Sequence, residues 1–196
     1  MHETSLAPGL LLAMPQLLDP NFVRSVVLMI EHGDRGSFGL IVNQPSPIKA
    51  TELLESLSLP WGGDPDALVW SGGPVARTTG WVLHEPLQIE RGSGPVFPGA
   101  GRPGTAAVGP GLALSTSTER LRDIATSPPG RIRLLLGYAG WGPGQLAAEM
   151  ARGSWIHAEA DPALIFEAPP DEMWSRALRS LGVTNPESLV PSLGVH

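Results

Sequence analysis

Cysteine is absent from this chain, which removes disulfides, thiol nucleophiles and zinc–thiolate sites at once. Lysine is nearly absent: Lys49 stands alone, and the remaining basic residues are arginines scattered singly. Thirteen basic residues against nineteen acidic ones leave a formal net charge of −6. A nucleic-acid binder needs a basic face to neutralise phosphates. No window here holds a basic cluster, so no direct contact with nucleic acid is expected. Long apolar runs are missing too, and nothing approaches the roughly 18 residues that would span a bilayer. Met1 to Ser5 carries no Lys or Arg, and the run Leu10 to Met14 stops at Pro15, so the pattern of a secretory leader is also missing. A cytoplasmic location with no membrane partner is expected.

What is plentiful is glycine and proline, at 24 and 21 of 196 residues. They favour many turns and short elements over long helices. The length suits one domain, residues 1–196, with a substantial core. Its nucleus is placed at Arg131 to Met150. An apolar run, Ile132 and Leu134 to Leu136, reads as a buried strand. Glycines at 137, 140, 142 and 144 break it, and a helix restarts at Pro143 with Leu146, Ala147 and Met150 on one face.

Around that nucleus, Leu10 to Met14 reads as a strand, and Asp19-Pro20 as the cap and first residue of a short helical turn. Ser25 to Ile30 and Phe38 to Val42 flank Gly33-Asp34-Arg35-Gly36 and should pair as an antiparallel hairpin. Asn43 to Pro47 ends the second of these strands. Thr51 to Leu59 has helical spacing, and Ala67 to Trp70, Gly80 to His84 and Leu112 to Ser115 read as strands. Residues 92 to 111 hold seven glycines and four prolines and are expected to form a long, mobile surface loop. Thr116 with Glu119 matches a capping box. A strand at Trp155 to Ala158, a short helix after Asp161-Pro162 and a clear helix at Asp171 to Leu181 complete the chain. Strands dominate early, helices late, and hairpin-length loops join several strands. The expected class is α+β with a mostly antiparallel sheet.

The stretches LAPGLLLAMPQLLDPNFVRSVVLMIEH at 6–32, GSFGLIVNQP at 36–45, WSGGPV at 70–75, GWVLHEP at 80–86, LALSTSTERL at 112–121, GYAGWGPGQLAAEMARGSW at 137–155 and DPALIF at 161–166 resemble the YqgE/AlgH family of bacterial proteins. The resemblance covers nearly the whole chain, departing mainly in segment 92–111. It implies a small barrel-like sheet with flanking helices. Members are largely of unassigned biochemical function, one bears a label as a transcriptional regulator, and no catalytic residues carry over.

Several constellations bear on chemistry. Gly142 to Ala147 fits the dinucleotide pattern G-x-G-x-x-G/A. Pro143 removes an amide that a pyrophosphate would use, and Trp141 crowds the approach, so a structural turn is expected. Glu31-His32, His84-Glu85 and His157 with Glu159 pair imidazole with carboxylate. Neighbours on a strand point to opposite faces, so polar strand ends are expected rather than metal sites. Ser46 to Lys49 matches S-x-x-K without its companion motifs, a chance match. Asp19 and Arg24 could form a salt bridge. Trp61 and Trp141, in glycine loops, are the tryptophans expected to stay partly exposed.

The first reading is a non-enzymatic protein with a regulatory or interaction role, a protein partner and no cofactor. The second is a small-molecule binder or unrecognised enzyme using the 137–144 turn. The candidate ligand-binding residues are Arg24, His32, His84 and Trp141. One pocket gathering them would favour the second reading, and their dispersal the first.

Overall fold

The computed structural model describes residues 5–86 and 104–189. Ten strands and five helices follow one another along these residues. β1 (Gly9–Ala13), β2 (Val26–Gly33), β3 (Gly36–Ile41) and β4 (Pro45–Lys49) lead into α1 (Ala50–Ser56). Next come β5 (Leu68–Ser71), β6 (Val75–His84), β7 (Thr105–Gly109), β8 (Leu112–Ser115) and α2 (Thr118–Thr126). β9 (Ile132–Trp141), α3 (Gln145–Ala151), β10 (Trp155–Ala158), α4 (Pro162–Glu167) and α5 (Pro170–Ser180) complete the order.

The strands form one sheet in the order β10-β1-β2-β3-β9-β6-β8-β7, with β4 and β5 off this path. Every pairing is antiparallel except β5 with β9. β9 is the shared element. Its last residues pair with β3, and its earlier ones lie between β6 and β5. The β2–β3 hairpin turns through Asp34 and Arg35, with Gly33 opposite Gly36.

The sheet curls into a half-barrel. Leu10 and Leu12 of β1 share one apolar cluster with Ala106 and Val108 of β7, although the two strands lie near opposite ends of the sheet. That cluster is therefore the inside of the curl. Ile165, Ala168, Met173, Trp174, Ala177 and Leu178 of α4, α5 and their junction fill it. Trp174 also donates its Nε1 to the Ala13 carbonyl at 2.8 Å, tying the plug to β1. Leucines such as Leu10, Leu28, Leu83 and Leu114 are fully buried, and each contributes about 1.5–3 kcal/mol. The outer face divides in two. Leu11, Val27, Met29, Trp141 and Trp155 pack beneath α3 and the turn that holds Phe22. Val69, Val82 and Leu134 pack beneath α1 and α2.

Four local expectations change. β9 does not stop at Gly137 but bends there and runs to Trp141. Gly137 takes φ +77, and a Cβ on it would lie 2.4 Å from the Gly73 carbonyl oxygen. Gly73, at φ +150, would put its own Cβ 2.2 Å from Tyr138 backbone. Two backbones cross here with no room for a side chain, so the glycines mark a crossing, not an end. Second, residues 43–47 do not simply end a strand. Pro45 opens β4, an edge strand that pairs only with β5, where prolines are tolerated because no outward N–H is needed. Third, residues 92–111 are not all loop. Thr105–Gly109 form β7, whose Ala106 and Val108 are buried in the core cluster and hold the strand despite the glycines around it. Residues 92–103 lie outside the described residues, and with them most of the segment expected to be mobile. Fourth, the cap of α2 is Ser117, accepting from the Arg120 N–H at 3.1 Å, one residue later than the Thr116 box.

Candidate binding sites

The four residues singled out from the sequence do not share one pocket. His32 and Trp141 lie on the same face, on either side of Ser37, because both pair across the sheet with it and directly opposed residues share a face. His32 Nδ1 lies 2.7 Å from Ser37 Oγ. Trp141 is not a half-exposed loop residue: only 6% of it is accessible. The strand continues through it, and its Nε1 donates to Glu149 of α3 at 3.0 Å. Trp155 Nε1 donates to the same carboxylate oxygen at 2.8 Å, and Gln145 Nε2 to the other at 2.9 Å. Phe22 packs against both tryptophan rings. The Gly142 N–H, which a pyrophosphate would need, instead donates to Gln145 Oε1 at 3.0 Å. Gly144 holds φ +71 as the residue before α3. The Gly142 N–H is thus taken by the chain's own Gln145, while Gly142 to Gly144 themselves stay exposed.

His84 is fully buried on β6. Its Nδ1 lies 2.6 Å from the Glu85 carbonyl, which can only accept, so Nδ1 carries the proton. Nε2 therefore accepts from Ser115 Oγ at 2.8 Å, and Ser115 in turn accepts from Thr105 Oγ1 at 2.6 Å. Burial holds the imidazole pKa below its usual value, against a smaller opposing effect of the Glu85 carbonyl. A serine–histidine catalytic pair has this connectivity. Here Ser115 is 1% exposed and its oxygen is engaged in both directions, so the network is a strut across β6, β8 and β7.

Arg24 lies elsewhere, at φ +50 just before β2. It does not pair with Asp19, whose carboxylate caps the helical turn through the Asn21 N–H at 2.9 Å. Arg24 Nη1 instead meets Glu187 Oε2 at 2.8 Å, and its guanidinium sits 5.1 Å from the centroid of the Trp174 ring. These residues belong to a groove of about 390 Å³ with Met14, Pro15, Leu18 and Val23 in its walls. Leu18 is 81% and Val23 63% exposed, the two highest values among the exposed large apolar residues described. Glu187 and Leu189, from the segment after α5, line the same groove.

A second cavity, of about 280 Å³, lies on the other half of the sheet, between α1 and α2 and over β6, β8 and β9. Leu53, Leu57, Leu121 and Leu136 give it apolar walls, and Ser115, Thr116, Ser117 and Thr118 give it a hydroxyl side. The Ser-Thr-Ser-Thr run reads from sequence only as a strand end and a helix cap, and its placement between the two is the available signal for a site. Leu18 and Val23 likewise read from sequence only as two apolar residues flanking a polar turn. Neither cavity holds Arg133. That residue is 5% exposed, donates to the Val42 carbonyl, and stacks with its guanidinium carbon 3.7 Å from the Trp70 ring centroid. Burial lowers its pKa to about 10. Ser46 and Lys49 do not act together: Ser46 Oγ donates to the Val69 carbonyl and Lys49 pairs with Asp66. Among the described residues no three His, Asp or Glu side chains converge as metal ligands, and no helix is long and apolar enough to cross a membrane.

A curled antiparallel sheet plugged by two C-terminal helices defines an α+β half-barrel class. The chain belongs to the AlgH-like family, whose match spans residues 10–186. It is 43% identical to a UPF0301 protein of Myxococcus xanthus over 98% of this chain and 99% of that one. It is 40% identical to a UPF0301 protein of Ruegeria pomeroyi over 89% and 90% of the two chains. The solution structure of the AlgH protein from Pseudomonas aeruginosa superposes with a TM-score of 0.74 at 37% identity, covering 100% of this chain and 98% of that one. A crystal structure from Corynebacterium diphtheriae, 24% identical, shares the fold with a TM-score of 0.71 over 96% and 93% of the two chains.

Proposed function

We propose that this is a non-enzymatic interaction protein of the cytoplasm that docks a segment of a partner protein in the Arg24 groove. One observation carries the reading. The two most exposed large apolar side chains described, Leu18 and Val23, line the same groove as Arg24 and Trp174. Apolar surface gathered around a cleft marks a binding surface more often than scattered apolar residues do. The chain's own Glu187-Ser188-Leu189 indicates the chemistry of the occupant. The carboxylate meets Arg24, and the leucine, two residues on, lies in the groove wall. The partner segment therefore carries a carboxylate two residues ahead of an aliphatic side chain and displaces this internal stand-in. Any regulatory role passes through protein contact rather than DNA, because the chain is acidic and its arginines are dispersed.

The test uses the capped peptide Asn-Pro-Glu-Ser-Leu, which copies residues 185–189. Titrated calorimetrically into the Glu187→Ala chain, it should bind more tightly than to the unaltered chain by at least about fivefold, roughly 1 kcal/mol. Arg24→Ala in the same background should abolish the gain. Equal or absent binding to both chains would refute the reading.

A further inference from the structure

We infer that the cavity between α1 and α2 is a binding site for a small uncharged molecule with an aliphatic body and a carbonyl head, such as an ester, lactone or amide. The site is separate from the Arg24 groove, which is walled by β1, the turn after it and the C-terminal segment. The aliphatic body follows from the walls. Leu53 and Leu121 come from the two helices, Leu57 from the C-cap of α1, and Leu134 and Leu136 from β9 beneath them. A cavity of about 280 Å³ sits near the small end of ligand sites, which run from roughly 300 Å³ upward and are mostly apolar with a few placed polar groups.

The head group follows from hydroxyl proton bookkeeping. Ser115 gives its proton to His84 and accepts from Thr105, so it is engaged on both sides. Ser117 Oγ accepts from the Arg120 N–H, which leaves its own proton to donate. Thr116 and Thr118 add two further hydroxyls on the same side. These hydroxyls can donate as well as accept, but Trp81, which lines the same cavity, has a buried Nε1–H with no hydrogen-bond partner among the described residues, a donor that cannot accept, and it calls for an acceptor. None of the residues lining the cavity is ionisable. A carboxylate entering it would lose water without gaining a cation, a cost that a neutral carbonyl escapes. Leu57, one of the lining residues, is 51% exposed.

The experiment uses the full chain and the neutral fluorophore N-phenyl-1-naphthylamine, displaced in turn by methyl heptanoate, heptanoate and heptane. The fluorophore should bind saturably, and the ester should displace it at least about tenfold better than either the anion or the alkane. Leu57→Arg, a change at an exposed position, should weaken both fluorophore and ester. Thr116→Val with Thr118→Val should erase the advantage of ester over alkane while leaving fluorophore binding intact. Heptanoate competing as well as the ester, or heptane doing so, would overturn the assigned head group. Absence of saturable fluorophore binding, or indifference to Leu57→Arg, would overturn the site itself.

Discussion

Removing the Glu149 carboxylate should loosen the outer layer of the sheet by a calculable amount. Glu149 Oε2 accepts from Trp141 Nε1 at 3.0 Å and from Trp155 Nε1 at 2.8 Å. Both indoles are nearly buried, at 6% and 2% exposure. Glu149→Ala therefore strands two N–H donors where water reaches them poorly. An orphaned buried donor costs about 1–3 kcal/mol. Glu149 itself is half-buried, so some water would enter the space it leaves, and the lower half of that range applies. The expected loss is about 2–4 kcal/mol for the two donors together. The better helix propensity of alanine returns only a few tenths of a kcal/mol. Glu149→Gln keeps an acceptor oxygen but loses the charge. Charge-assisted bonds are about twice as strong as neutral ones, so this change should cost about 1 kcal/mol. Equilibrium urea unfolding at pH 7, followed by tryptophan fluorescence, measures both. A cost below about 0.5 kcal/mol for alanine, or glutamine costing as much as alanine, would show that the carboxylate does not clasp the two strands.

Other expectations follow from single positions. Gly73→Ala should cost more than about 3 kcal/mol, because its Cβ meets Tyr138 backbone at 2.2 Å, while Gly144→Val, with nothing within 4 Å, should cost only the strain of its φ +71, over about 1 kcal/mol; thermal melts of the two variants compare crowding with strain. Calorimetry with NAD, NADP and FAD should show no saturable heat, since Gln145 already takes the Gly142 N–H. His84 is held neutral by burial, so the unfolded chain binds the extra proton first as pH falls below about 6.5. Stability should therefore drop between that pH and the lower folded-state value and then level off. His84→Phe should remove this step from a stability–pH profile while lowering stability overall, and an unchanged step would assign it to another group. Anisotropy titration with duplex DNA at about 150 mM salt should give no nanomolar affinity.

The sequence made the strands legible wherever apolar residues ran unbroken or flanked a tight turn, as at Leu10 to Met14 and around Asp34-Arg35. It also made the Asp19 and Asp161 caps legible, because both are local events between an Asp side chain and an N–H two residues on. Long-range crossings were hidden. Gly137 looked like the end of a strand because its partner, Gly73, lies 64 residues earlier. β4 and β7 looked like loops because their prolines and glycines are tolerated at edges by pairing that no local window contains. Of the candidate site residues, Arg24 has Asp19 as its nearest acidic neighbour in sequence, and spacing alone pairs the two. Its companions Trp174 and Glu187 come from the other end of the chain, so the groove could not be assembled from spacing. Trp141 was misjudged because its glycine neighbours suggested a loop, whereas Glu149, eight residues on, draws it into the packed layer.

The position of β9 also governs the order in which the protein can be made. β3 and β6 each have an edge whose strand partner is β9, and β9 begins at residue 132. During synthesis the first hundred or so residues must therefore wait with both edges open. Contacts of such sequence separation close slowly, and unpaired edges invite pairing with other nascent chains. Release of Trp141 from the ribosome is the moment at which the sheet becomes one surface. A stall placed after residue 125 and one placed beyond residue 180 should leave chains that differ sharply in protease resistance, although they differ by little more than a quarter of the sequence.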